Sequence, residues 1–254
     1  MDPRVWVVMP TYNEAENLAA IVDATATELE RLVPGDYRIL IVDDGSPDGT
    51  GEIADRLAGA NDAVVVLHRT SKDGLGHAYR AGFAVALDGG AQLVCEMDAD
   101  FSHDPRYLRS LLAAAEQADV VLGSRYVDGG GVRNWGLLRR VVSRGGGMYA
   151  RAILGVSVRD LTGGYKCMRR QVLEAIDLDS VRADGYVFQI EVTYRAILAG
   201  FEVVEVPIVF NDRTAGKSKM STRIALEAMW RVPSLRRTSR RAVRGESRSA
   251  APVG

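Results

Sequence analysis

The sequence predicts an α/β protein built on a mostly parallel, doubly wound sheet with flanking helices. Three observations carry that expectation. Short runs rich in Val, Ile and Leu alternate with segments of helical periodicity, the order that yields βαβ units. The apolar runs are near-continuous, as strands are when helices cover both faces. The loops after these runs are polar, acidic or glycine-rich, and right-handed crossovers bring the C-terminal ends of parallel strands to one edge, where ligands bind.

VWVVMP (5–10) reads as the first strand, followed by a helix over 16–32. YRILIVDD (37–44) is the second strand, with a helix over 50–57, and AVVVLH (63–68) is the third, with a helix over 76–86. LVCEMD (93–98) is the fourth; Pro105 suits a helix start, and that helix runs to about Gln117. DVVLGS (119–124) is the fifth. Residues 134–154 mix Trp135, Leu137, Leu138, Val141 and Met148 with Arg139, Arg140, Arg144 and Arg151. Gly145, Gly146 and Gly147 interrupt this stretch, which predicts two helical pieces rather than one rod. Its basic, amphipathic composition suits a helix packed on the sheet and equally a surface that meets a membrane interface. A helix over 186–199, a strand EVVEVPIVF (202–210), a polar basic loop NDRTAGKSKMS (211–221) and a helix over 222–230 complete the pattern. There is no internal repeat.

The 254 residues are 47% hydrophobic and 26% charged, which suits one large domain with a tail. The expected division is a catalytic domain over 1–230 and a basic, disordered tail over 231–254. Seven arginines and one glutamate from Arg231 to Gly254 give that stretch +6, leaving −7 on the rest of a chain of net charge −1. The tail's low apolar content predicts disorder; its charge fits a solvated end or attraction to anionic lipid. No run of about 18 apolar residues is present, so no membrane-spanning helix is expected. The start, MDPRVWVVMP, is acidic at Asp2 and enters a strand at once, unlike a signal peptide. Two cysteines, Cys95 and Cys167, are too few for a disulfide framework or a zinc site, and a reducing cytoplasm fits.

The chemistry concentrates in MDADFSHDP. Two neighbouring carboxylates, Asp98 and Asp100, repel each other unless a cation or proton settles the charge. Taken alone the pair suits a solvated turn. At the C-terminal edge of a parallel sheet it becomes a site for a hard cation, Mg²⁺ or Mn²⁺, which favours one or two carboxylates plus substrate phosphates. VDDGSPDGT adds an acidic pair, a turn and a helix cap at Asp48 or Thr50. Its carboxylates suit hydrogen bonds from a base or ribose, and Glu14 in PTYNE suits ribose hydroxyls. Lys72 near Gly74 and Gly76 lacks the glycine-before-lysine order of a phosphate loop. The three histidines have no metal-ligand spacing; His103 fits either a turn contact or a group orienting Asp100.

PTYNEAENL, VDDGSPDGT, GLGHAYRAGF, MDADFSHDP, GSRY and RTAGKSKMS occur in this order, and together they resemble the dolichol- or polyprenol-phosphate mannosyltransferases over about residues 5–230. That resemblance implies a GT-A, Rossmann-like fold and transfer of mannose, with inversion, from GDP-mannose to a polyprenyl monophosphate. It implies that Pro10, Tyr12 and Glu14 hold the nucleoside, with Val42 and Asp44 near the base. Asp98, Ala99 and Asp100 would meet ribose, diphosphate and metal, with Ser102 a weak further ligand. Arg125, Arg213 and Lys219 would hold donor phosphates, Arg139 and Ser143 the acceptor phosphate. The loop carrying Gly216 would close over the donor. Longer members continue into transmembrane helices; the resemblance here is to the short forms, which work at the cytoplasmic membrane surface peripherally or through a membrane-embedded partner. No nucleic-acid partner is implied.

Three other readings compete. A polyprenyl-phosphate glucosyltransferase, or an enzyme of another sugar nucleotide, shares every feature that physics assigns. A nucleotidyltransferase calls for a glycine-rich, basic loop after the first strand, where this chain has PTYNE. A non-catalytic scaffold is disfavoured by the intact acidic pair.

Overall fold

The computed structural model describes residues 4–181, 183, 185–211 and 230–239. Strand β1 (Val5–Thr11) lies between parallel neighbours, β2 (Tyr37–Asp43) and β4 (Leu93–Glu96). Its side chains alternate: Trp6 and Val8 enter one core layer, Val5, Val7 and Met9 the other. A strand with helices on both faces must be apolar on both, so VWVVM carries no polar residue.

The layer holding Val5, Val7 and Met9 is covered by α1 (Leu18–Leu32), α2 (Thr50–Ala60) and α4 (Leu108–Ala114), through residues such as Ile21, Leu29, Ala54 and Leu111. The opposite layer is covered by α3 (Leu75–Asp88), α5 (Leu137–Leu154), α6 (Arg170–Ala175) and α7 (Gly185–Leu198), through Phe83, Leu154, Val172 and Phe188. β3 (Val64–His68) pairs parallel with β2. β5 (Val120–Ser124) pairs parallel with β8 (Val203–Pro207). The order across the sheet is β3-β2-β1-β4-β7-β5-β8.

β7 (Lys166–Arg169) runs antiparallel to both β4 and β5. Cys95 and Cys167 face each other across the β4–β7 pairing, buried and unlinked. Because β7 is reversed, the segment entering it, Asp160 to Tyr165, reaches the edge where its parallel neighbours end. The strand expected over 202–210 is two strands. Pro207 has no N–H to extend the ladder, and the chain changes sheets at Ile208, whose N–H donates to Ser124 O (3.0 Å) and whose carbonyl accepts from Gly131 N (2.9 Å). β9 (Val209–Asn211) then pairs parallel with β6 (Gly131–Arg133) in a separate two-stranded sheet.

Two further expectations are corrected. α5 is one continuous helix through Gly145, Gly146 and Gly147. The glycines weaken it by about 1 kcal/mol each relative to Ala, but burial of Ala150 and Leu154 supplies the tertiary packing that holds helices together. Disorder from Arg231 onward does not hold for 231–239: residues 230–239 are helical, and Val232 and Leu235 are buried in the main core. The basic loop after Asn211, most of the helix expected over 222–230, and the chain beyond Ser239 lie outside the described residues.

Candidate active site

A cavity of about 490 Å³ opens at the C-terminal edge of the parallel strands. Of the residues expected to bind donor or metal, Pro10, Tyr12, Glu14 and Asp44 line it from the first two loops, with Asp98, Ala99, Asp100 and Arg125 from the next two. Arg139 lines it from α5. Val42 does not: its side chain is buried against Gly82, where an added Cβ would approach Val42 Cγ2 to 3.1 Å. Ser102, buried within the acidic loop, and Ser143, partnered by Tyr126 (Oη to Oγ, 2.6 Å), do not line the cavity. Arg213 and Lys219 lie outside the described residues.

The first two loops are stitched together. Glu14 N donates to Thr50 Oγ1 (3.0 Å), Ala15 N to Asp48 Oδ2 (3.2 Å) and Asn13 N to Ser46 Oγ (3.0 Å). Asp48 also accepts from the Thr50 N–H (3.1 Å) and hydroxyl (2.6 Å), so it caps α2 from just before Gly49. Asp44 is held by Arg69 (Nη1 to Oδ1, 2.5 Å). Burial pushes the Asp44 carboxyl above its usual range, against the opposing pull of that guanidinium.

In the acidic loop, Phe101 adopts φ +61°, a left-handed conformation seldom used by bulky residues and concentrated at functional sites. The curl brings both Asp98 and Asp100 to the cavity. Tyr79 donates to Asp98 Oδ1 (3.4 Å), and Ser102 N donates to Asp100 Oδ1 (3.0 Å). His103 serves Asp98: its Nδ1 accepts from Asp98 N (3.0 Å) and its Nε2 lies 4.0 Å from Asp98 Oδ2. With Nδ1 accepting, the neutral ring carries its proton on Nε2.

These residues fit a divalent cation. Both cavity carboxylates offer hard oxygen donors, and the buried Ser102 Oγ has no hydrogen-bond partner among the described residues. No group of three or more His, Cys, Asp or Glu could hold a metal among the described residues. Mg²⁺ and Mn²⁺ need only one or two protein carboxylates, because substrate phosphates and water fill the rest of their shells.

Arg125 sits at the cavity wall in a buried fork with Asp160: Nε to Oδ2 is 2.7 Å and Nη2 to Oδ1 is 2.6 Å. The Arg125 N–H adds a third bond to Asp160 (2.9 Å), and Thr162 accepts from Nη2 (2.8 Å). Burial alone would raise the Asp160 pKa, but the guanidinium and these hydrogen bonds hold it below its usual range. Asp160 is set in turn by Glu205, which accepts from the Asp160 and Arg159 N–H groups (2.9 and 2.8 Å). Nothing in the sequence pattern of 155–185 marks Asp160 or Thr162.

Behind the cavity, Lys166 donates to Gln189 O (2.9 Å) and Oε1, and Gln189 Nε2 donates to Glu96 Oε2 (2.6 Å). Burial raises Glu96 to about 7 and lowers Lys166 to about 8. The chain locks the Gln189 amide, which faces the cavity.

An aromatic seam links the acidic loop to α5. His103 stacks on Tyr165 (4.8 Å between ring centroids) and meets the edge of Phe210 (5.7 Å). Phe210 meets Trp135 edge-on (5.6 Å), and the Arg139 guanidinium lies over the Trp135 ring at 4.1 Å.

A parallel α/β sheet with an Asp-x-Asp loop over a cavity at its C-terminal edge is the architecture of GT-A glycosyltransferases. Two solved structures share the fold. Mannosyl-3-phosphoglycerate synthase from Rubrobacter xylanophilus is 19% identical, with a TM-score of 0.63 over 99% of this chain and 77% of its own. A mannosyltransferase from Pyrobaculum calidifontis, in complex with GDP-Man and Mn²⁺, is 17% identical, with a TM-score of 0.54 over 100% and 76%. The chain belongs to glycosyl transferase family 2, whose description matches residues 6–177. It is 52% identical to a polyprenol monophosphomannose synthase of Mycolicibacterium smegmatis over 231 residues, 90% of this chain and 85% of the relative. It is 47% identical to an undecaprenyl-phosphate mannosyltransferase of Micrococcus luteus over 229 residues, 90% and 92% of the two chains.

Proposed function

We propose that this protein transfers mannose from GDP-mannose to a polyprenyl monophosphate, inverting the anomeric centre and releasing GDP. The observation that carries the reading is the likeness, over nine-tenths of the chain, to two proteins named as mannosyltransferases of lipid phosphates. The cavity chemistry suits it. Glu14 and Asp44 offer acceptors to ribose and base; Asp98 and Asp100 suit a Mg²⁺ or Mn²⁺ shared with the diphosphate.

A phosphate monoester has its second pKa near ~6 and is largely a dianion at pH 7, so the acceptor needs no general base. One of its oxygens forms a bond to the anomeric carbon as the bond from that carbon to the diphosphate oxygen breaks, with both electrons leaving on GDP. The remaining problem is repulsion between two anions. Arg139 is assigned to the acceptor phosphate, and Ser143 steadies that side through Tyr126. Asp160 offsets the charge of Arg125, so Arg125 orients donor phosphates more than it neutralises them. Arg213 and Lys219 are assigned to the departing diphosphate. The bound divalent ion supplies charge stabilisation to that leaving group.

The acceptor also calls for a membrane surface. Leu137 (80% exposed), Leu138 (74%), Val141 and Met148 stand out from α5 beside Arg140 and Arg144, a composition that suits an anionic bilayer. No helix among the described residues is long and apolar enough to cross one. We propose that the enzyme works at the cytoplasmic face of the membrane as a peripheral protein, with the exposed face of α5 as its contact.

The test is incubation with a panel of radiolabelled sugar nucleotides and a short polyprenyl phosphate, with and without EDTA. Label from GDP-mannose is expected in the lipid, with loss on chelation and in Asp100→Asn while the melting temperature of that variant stays within a few degrees of wild type. Transfer from another donor in preference, or full activity in EDTA, would overturn the corresponding half of the reading.

A further inference from the structure

The donor cavity is bounded by several cations, and the structure separates them by what they already hold. Arg125 is forked onto Asp160 inside the protein, so its charge is largely spent. Arg139 lies over Trp135 at the acceptor side. Lys72 differs. It lines the cavity, is exposed, and makes no hydrogen bond or ion pair among the described residues. Its contact is with an aromatic face: the Nζ stands 3.7 Å from the centroid of Tyr12.

The loop around Lys72 is held on both sides. Arg69 N donates to Asp43 O (2.8 Å), and its guanidinium reaches Asp44 and Asp73 (3.3 Å to Oδ2). Ser71 donates to Asp73 (2.8 Å), and Gly74 turns the chain at φ +113°, a conformation that suits glycine. The backbone is thus pinned while the four-carbon stem of Lys72 stays free to swing.

We propose that Lys72 is a further donor-binding residue that exchanges partners on loading. In the free protein its ammonium covers the Tyr12 ring. When a nucleoside diphosphate enters, Lys72 moves to the diphosphate and uncovers the ring face for the flat base. A ring contact at an exposed site is weak beside a charge-assisted hydrogen bond to phosphate, so the exchange runs towards the loaded state. A nucleoside without phosphates competes with Lys72 for the ring and gains nothing from the ammonium. The inference rests on the nucleotide-sugar reading of this cavity.

The experiment is calorimetric titration of guanosine, GMP and GDP into wild type, Lys72→Ala and Lys72→Arg, each with Mn²⁺ present, after matched melting curves establish that the variants are folded. In wild type, affinity rises from guanosine to GDP. In Lys72→Ala that rise is expected to shrink by about tenfold or more, with guanosine itself bound no more weakly. Lys72→Arg, which keeps the charge, is expected to restore part of the rise. A rise in Lys72→Ala equal to that of wild type, or guanosine weakened as much as GDP, overturns the assignment alone. A wild-type protein that binds none of the three overturns the nucleotide reading and the assignment with it.

Discussion

Asp160 is the residue on which the cavity wall turns. It takes three hydrogen bonds from Arg125 and is itself fully enclosed. Removing one partner of a buried ion pair strands the other and costs about 3–5 kcal/mol, so Asp160→Asn is expected to lower stability by that order near pH 7. The pH dependence has a definite sign. The folded-state pKa lies below the unfolded value of about 3.9. The stabilisation is therefore complete above that value and is lost as pH falls through the folded one. Urea midpoints of wild type and variant should be far apart at pH 7 and draw together as pH falls below about 4; a gap that does not narrow would mean that the loss is one of packing. Residues of this kind were not legible in the chain. Asp98, Asp100 and Glu14 could be read because their loops follow strong strand patterns. Asp160 and Lys72 acquire their roles from partners far away in sequence or from a ring on another loop. Val42, Ser102 and Ser143 do not line the cavity, and a motif does not specify how deeply each of its side chains is buried.

Among the elements, α5 joins the cavity to the outer surface. Arg139 faces the cavity, while Leu137, Leu138, Val141 and Met148 face outward. Burying an exposed Leu or Met in an apolar phase is worth about 1.5–3 kcal/mol. Leu137→Asp combined with Met148→Asp should therefore weaken co-sedimentation with anionic phospholipid vesicles by at least about tenfold. Both side chains are exposed (80% and 68%), so melting should be unchanged. Undiminished vesicle binding would move the membrane contact elsewhere. The core strands and α1 to α4 were readable because each is a long apolar or periodic run bounded by turn residues. β7 escaped because KCMR has four residues and no alternation. The break between β8 and β9 is marked by Pro207, but which sheet the chain joins afterwards depends on β6, a three-residue strand without local signal.

For the molecule as a whole, donor loading should be visible as stability. A ligand that binds only the folded state adds about 2.7 kcal/mol at a hundredfold excess over its dissociation constant. GDP with Mn²⁺ at that excess should raise the melting temperature of wild type by several degrees, an increment that EDTA reduces and that Asp100→Asn lacks. An EDTA-insensitive increment would detach the acidic loop from nucleotide binding.

The seam from His103 through Phe210 and Trp135 to Arg139 bears on how the two substrates meet. It is one contiguous series of edge-on ring contacts and a cation–π contact, from the Asp98 backbone to the helix assigned to the lipid phosphate. If donor loading shifts this seam, the acceptor end feels the shift. Such coupling is reciprocal: the factor by which the sugar nucleotide sharpens affinity for the lipid must equal the factor by which the lipid sharpens affinity for the sugar nucleotide. Positive coupling of this kind would favour the ternary complex over either half-filled state.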